Sequence, residues 1–159
     1  MSKPNLNNAV IAFDMDGVLN KYKFGVLGIQ GLDAPQWVEA NMLRNMYNFA
    51  EKTSAFDEII ESKNPMDMYV ISVALTSFEQ TNKLSFLEEH YPAIREEHAI
   101  FVGDTKYKVE VLKTLRQILD QTGKANKDLV MIEDDARVLL DITKLDNPRI
   151  KCYLVSDFM

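Results

Sequence analysis

The sequence predicts an α/β fold in which a mostly parallel central sheet carries helices on both faces. Short apolar runs recur along the chain and read as buried strands, and stretches with apolar residues at helical spacing alternate with them. No repeat, low-complexity tract or Pro/Gly linker divides the 159 residues. That length suits one domain with a real core and is short for two.

The first strand is the run beginning at Ala9 (AVIAF), which leads straight into Asp14-Met15-Asp16-Gly17. The 35 positions that follow, 20–54, are too many for a simple crossover loop. Within them Lys21 to Gly31 holds three glycines among apolar residues and reads as a tight turn with a hairpin. Asp33 can cap a helix with Pro35 in its first turn, and Val38, Met42, Met46 and Phe49 give that helix an apolar stripe, with Trp37 as lid packing. Such an insertion would lie over the carboxyl end of the first strand, where open α/β sheets bind ligands. One domain of residues 1–159 is expected, with a core of about 9–19 and 55–159 and a flap and small cap of about 20–54.

Beyond the insertion, Phe56, Ile59 and Ile60 suggest a short helix before the strand Met68 to Ser72 (MYVIS). Leu84, Leu87 and Tyr91 mark the next helix and Ala99 to Val102 the third strand. Val111, Leu112, Leu115, Ile118 and Leu119 form a stripe closed by Gly123 as a C-terminal cap. The strand Leu129 to Ile132, a helix with Val138, Leu139 and Ile142, and the strand Ile150 to Val155 complete the pattern.

A hydrophobic content of 47%, a charged content of 26% and a net charge of −6 describe an ordinary acidic globular chain. Without basic runs or a basic stripe, neither a nucleic-acid nor an anionic-membrane surface is expected. An anionic substrate remains compatible, because a bound divalent cation reverses the local field. Cys152 is the single cysteine, Met1 to Asn8 has no apolar leader core, and no apolar run approaches membrane-spanning length, so a cytoplasmic protein is expected.

Two anions at the mouth of an apolar strand call for a cation. A carboxylate can attack phosphorus, which nominates Asp14 as nucleophile. Asp16, two residues on, is placed to protonate a leaving oxygen and then to deprotonate water, and Gly17 allows a sharp turn that exposes backbone amides. A calcium-binding EF-hand loop is not expected, since the residues that follow, Leu19, Lys21 and Phe24 among them, supply neither the further run of oxygen ligands nor the final acid. Glu133-Asp134-Asp135 follows a buried strand in the same way, and acids from two strand ends can converge on Mg²⁺ while one of them caps the next helix. Ser72 ends its strand where a hydroxyl can hold a phosphoryl oxygen, with Thr76 and Ser77 as competing hydroxyls. Lys106 and Lys108 precede a helix, and one of them can neutralise phosphate and carboxylates. His90, His98 and Lys83 are expected on the surface.

These four sites in this order resemble the haloacid dehalogenase (HAD) superfamily of phosphohydrolases. FDMDGVLN is similar to its first motif, the end of MYVIS to the second, one lysine of the KYK segment to the third and VMIEDD to the fourth. The resemblance spans residues 9 to about 155 and implies a HAD-like Rossmannoid three-layer sandwich with a small helical cap inserted after the first strand. It implies Asp14 as nucleophile, Asp16 as acid/base, Ser72 and Lys108 (or Lys106) around the phosphate, and Mg²⁺ held by Asp14, Asp16 and Asp134, with Glu133 assisting. The opening and the short insertion are similar in style to the small-capped members, including the 5'(3')-deoxyribonucleotidases. The expected activity is Mg²⁺-dependent cleavage of phosphate monoesters, with a (deoxy)nucleoside monophosphate or another small phosphometabolite as substrate. The alternatives are a receiver-like phospho-acceptor module, which needs no Asp16, and a non-catalytic binding domain on the same fold.

Overall fold

The apolar runs become the strands of one parallel sheet. The computed structural model describes residues 2–21 and 34–159. Its strands are β1 (Ala9–Phe13), β2 (Met68–Val73), β3 (Ala99–Val102), β4 (Asp128–Glu133) and β5 (Ile150–Leu154). They lie in the order β3-β2-β1-β4-β5, with every neighbouring pair parallel. In register, Ile11 of β1 stands beside Met68 of β2 and Val130 of β4.

The helices are α1 (Ala34–Leu43), α2 (Asp57–Ser62), α3 (Ser77–His90), α4 (Lys108–Gln121) and α5 (Ala136–Thr143). Strand alternation sends Ile11, Phe13, Val70 and Ile132 to one face, where they pack with Trp37, Phe56, Ile60, Phe86 and Leu87 from α1, α2, α3 and the segment before α2. Val10, Ala12, Ile71 and Met131 go to the other face and meet Leu112, Leu115 and Leu119 of α4 with Val138 and Ile142 of α5. The sheet is therefore covered on both sides, as continuous apolar strands require. Just past α4, Gly123 takes φ +83°, the left-handed conformation that closes helices.

The connections leave β1 toward β2 on one side and reach β4 on the other, so the order reverses between β1 and β4. A crevice at the carboxyl ends of these two strands is where such sheets bind ligands. The insertion after β1 is rooted there by an antiparallel contact. Lys21 N–H donates to Glu51 O at 2.8 Å, Thr53 N–H donates to Leu19 O at 3.1 Å, and Asn20 bridges to Lys52. The Tyr91 hydroxyl lies 2.7 Å from Leu19 O and 2.9 Å from Thr53 O, pinning both roots. Burial pushes its phenol up to about 12, which keeps it protonated as a donor at neutral pH.

Three expectations change. Over the insertion, α1 stops at Leu43 and Met46 sits in a separate 3-10 turn, Met46–Phe49. The expected Val38–Met42–Met46 stripe is therefore broken: Met42 is exposed, and Trp37 and Asn41 form the buried face. Ile118 is exposed on α4, whose core side runs through Leu112, Leu115 and Leu119. His98 is buried rather than superficial, its Nδ1 2.9 Å from Met68 O and its ring stacked on Tyr69. The hairpin expected beyond Lys21 and the Asp33 cap fall outside the described residues. Among the described residues, no helix is long and apolar enough to cross a membrane.

At the end of the sheet away from the crevice, Asp67 accepts from Lys124 Nζ at 2.5 Å and Lys127 Nζ at 2.8 Å. This ties the start of β2 to the α4–β4 connection. Burial alone would raise the Asp67 carboxyl, but the two ammonium groups together outweigh it and hold the group below the usual carboxylate range. A depressed folded-state value makes the contribution fully present above the unfolded pKa, near 4, and lost as the pH falls through the folded value. Asp67→Asn is expected to cost about 2 kcal/mol at pH 7. Urea titrations of both proteins at successive pH values should show the gap closing below about pH 4. An unchanged midpoint at pH 7 would show that the clamp contributes nothing.

Candidate active site

The ladder of β1 runs one residue past the strand: Asp14 N–H donates to Ile132 O of β4 at 2.9 Å. This fixes the Asp14 backbone against the neighbouring strand, and its side chain is buried. The chain then folds back sharply. The amides of Val18, Leu19 and Asn20 all donate to Met15 O, and Gly17 takes φ +80°, which a side chain would disfavour. On β4, Glu133 is the last strand residue and is fully buried. Asp134 follows it, and Asp135 caps α5, accepting from Arg137 N–H at 2.9 Å and pairing with the Arg137 guanidinium. One acid of the three is thus spent on the helix, and the other two stand beside Asp14.

Asp14, Glu133 and Asp134 offer carboxylate oxygens that all lie within 4.8 Å of one another. Lys108, the first residue of α4, reaches between two of them, 3.0 Å from Asp14 Oδ1 and 2.5 Å from Glu133 Oε1. Lys106 is exposed, its ammonium over the Tyr107 ring, so the geometry separates two lysines that spacing could not. Burial alone would pull the Lys108 ammonium down, but Asp14 and Glu133 outweigh it and hold the group above its ordinary range. Burial and the Asp14 charge push the Glu133 carboxyl well up, against the pull of Lys108. Inside this group one ammonium faces three carboxylates. Asp14, Glu133 and Asp134 together could hold a hard cation that takes oxygen ligands.

The Asp16 carboxylate, expected among the metal ligands, stands outside this three-acid group, and Glu133, expected only to assist, stands inside it. Its Oδ1 lies 3.0 Å from the Tyr47 hydroxyl and 3.1 Å from Asn20 Nδ2, and its Oδ2 lies 3.2 Å from Lys83 Nζ. Three segments therefore hold the acid: the turn itself, the insertion and α3. Burial, with the Asp16 and Glu79 charges, drives the Tyr47 phenol well above its ordinary range, so the hydroxyl remains protonated. Ser72, near the end of β2, is buried and accepts from Lys83 Nζ at 2.8 Å. Of the competing hydroxyls, Thr76 caps α3 by accepting from Glu79 N–H, and Ser77 is exposed.

Lys83 corrects an expectation. It is not solvated but fully buried at the site. The signal was in the sequence, because Phe86 and Leu87 stand three and four residues on and draw the buried face of α3 through position 83. Leu84, which set the expected stripe, is only half-buried. Tyr47 carried no comparable signal; only the path of the insertion brings it to Asp16. No protein-family model and no curated protein sequence matches the chain.

Proposed function

We propose that the protein is a Mg²⁺-dependent phosphohydrolase of haloacid dehalogenase type that cleaves phosphate monoesters through an aspartyl-phosphate on Asp14. The observation that carries this reading is the meeting of Asp14, Glu133 and Asp134 with Lys108 at the carboxyl ends of the two central strands. Asp14, Glu133 and Asp134 would hold the cation. Bound there, it supplies charge compensation for the phosphoryl oxygens.

Lys108 takes Asp14 Oδ1, leaving the other carboxylate oxygen to attack phosphorus in line. The new bond joins that oxygen to phosphorus, the ester P–O bond breaks, and the departing oxygen takes a proton from Asp16. Water then attacks the phosphorus, gives its proton back to Asp16 and releases inorganic phosphate and free Asp14. Lys108 and the Ser72 hydroxyl stabilise the non-bridging oxygens throughout. A phospho-acceptor module would have no use for Asp16, whereas here three residues from three segments position it. A small insertion leaves room for a small phosphorylated molecule such as a nucleoside monophosphate or for a larger phosphorylated partner.

Phosphate release from deoxy- and ribonucleoside monophosphates, sugar phosphates and an activated aryl phosphate, each with Mg²⁺ and with EDTA, tests this reading. Turnover of at least one ester that EDTA abolishes is expected. No turnover of any ester by folded protein that binds Mg²⁺ would overturn the reading in favour of a phospho-acceptor.

A further inference from the structure

Lys83 is a buried cation to which the proposed chemistry gives no role beyond holding Asp16. Its ammonium has three acceptors: Ser72 Oγ at 2.8 Å, Val73 O at 2.5 Å and Asp16 Oδ2 at 3.2 Å. The side chain is fully enclosed, with the Tyr47 ring centroid 5.6 Å from Nζ. An ammonium carries three N–H donors and no acceptor, so these contacts use it up. Lys83 therefore has no donor left for a substrate, and whatever it does at the site it does through its neighbours.

The consequence falls on Ser72. A hydroxyl has one hydrogen to donate and can accept, whereas a lysine ammonium can only donate. In the Lys83–Ser72 bond the serine oxygen must be the acceptor, which leaves the serine hydrogen for another partner. In the β1–β2 register Phe13 stands beside Val70, which puts Ser72 level with the turn that carries Asp14 and Asp16. The same ammonium also grips Asp16, so one buried group sets the hydrogen-bond polarity of the hydroxyl and the position of the acid.

We infer that Lys83 is a positioning residue: by donating to Ser72 Oγ it obliges the Ser72 hydroxyl to act as a donor toward a phosphoryl oxygen. This rests on the phosphohydrolase reading. It predicts that removing Lys83 weakens phosphate binding through Ser72 and only where Ser72 is present. A residue that merely supported the fold would weaken binding equally in both backgrounds.

The test is calorimetric binding of inorganic phosphate, with Mg²⁺ present, to the wild type, Ser72→Ala, Lys83→Met and the double variant. Each single substitution is expected to weaken phosphate about tenfold, the scale of one charge-assisted hydrogen bond. The double variant should lose no more than about threefold beyond either single one, the non-additivity of groups acting as one unit. If Lys83→Met does not fold, Lys83→Arg keeps the buried charge but cannot place three donors on one nitrogen. It should show the same coupling to Ser72→Ala with a smaller loss. Lys83 variants that bind phosphate as the wild type does, or losses that multiply in the double variant, would overturn the role of Lys83 alone. A wild type that neither binds phosphate nor releases it from esters would overturn the phosphohydrolase reading and this inference with it.

Discussion

Asp14→Asn is expected to lower phosphate release by at least about 10⁴-fold, because a neutral amide oxygen is a poor nucleophile toward phosphorus and no other group replaces the carboxylate that would carry the phosphoryl group. The substitution is nearly isosteric, and the backbone bond from Asp14 N–H to Ile132 O does not involve the side chain. The amide oxygen can still accept from Lys108. Folding should therefore persist, and the removal of one charge relieves the repulsion that raises Glu133. Three measurements check this on the same sample: release of inorganic phosphate with Mg²⁺, Mg²⁺ binding, and the thermal unfolding midpoint. Loss of release with a retained midpoint and retained Mg²⁺ binding is the outcome expected of the nucleophile. Undiminished release would remove Asp14 from that role, and loss of both release and midpoint would show that the carboxylate is needed for folding.

The fold was legible because parallel strands advertise themselves. AVIAF, MYVIS, AIFV and LVMI are short continuous apolar runs, and each became a strand within a residue of its expected bounds. The acids that end β1 and β4 were legible for the converse reason: carboxylates at the mouth of such runs fit no packing need. Lys83 runs against the usual solvation of helical lysines, and only the Phe86–Leu87 spacing marks its position as buried. His98 has no ligand partner nearby in the sequence, and nothing local marks the Met68 carbonyl that meets its ring. The meeting of Tyr47 with Asp16 spans 31 positions and depends on how the insertion folds back. No local pattern encodes such a contact. Stripes such as Val38–Met42–Met46 failed because α1 ends where a 3-10 turn begins, and helical spacing carries no information across that break.

Lys108→Met is expected to destabilise the metal-free protein by about 3–5 kcal/mol, the range for removing one partner of a buried ionic group. Methionine replaces the stem, so packing changes little, but Asp14 and Glu133 lose the charge that lies between them. Lys106→Met on the same turn should stay within about 0.5 kcal/mol of the wild type, as an exposed substitution does. The two lysines stand in the same KYK segment, so the contrast isolates burial and partners from residue type. Divalent cation should then rescue the first variant more than it stabilises the wild type. On the proposed metal site the ammonium and the cation would compete for Asp14 and Glu133, and in Lys108→Met the cation would meet those two carboxylates without the ammonium. Saturation to about a hundredfold above the dissociation constant would restore roughly 2.7 kcal/mol. Urea titrations of the three proteins in EDTA and in excess Mg²⁺ measure all of this. Equal stabilisation of wild type and Lys108→Met by Mg²⁺ would mean that the cation does not share the carboxylates with Lys108. The group formed by Asp14, Glu133 and Asp134 would then lose its standing as the metal site.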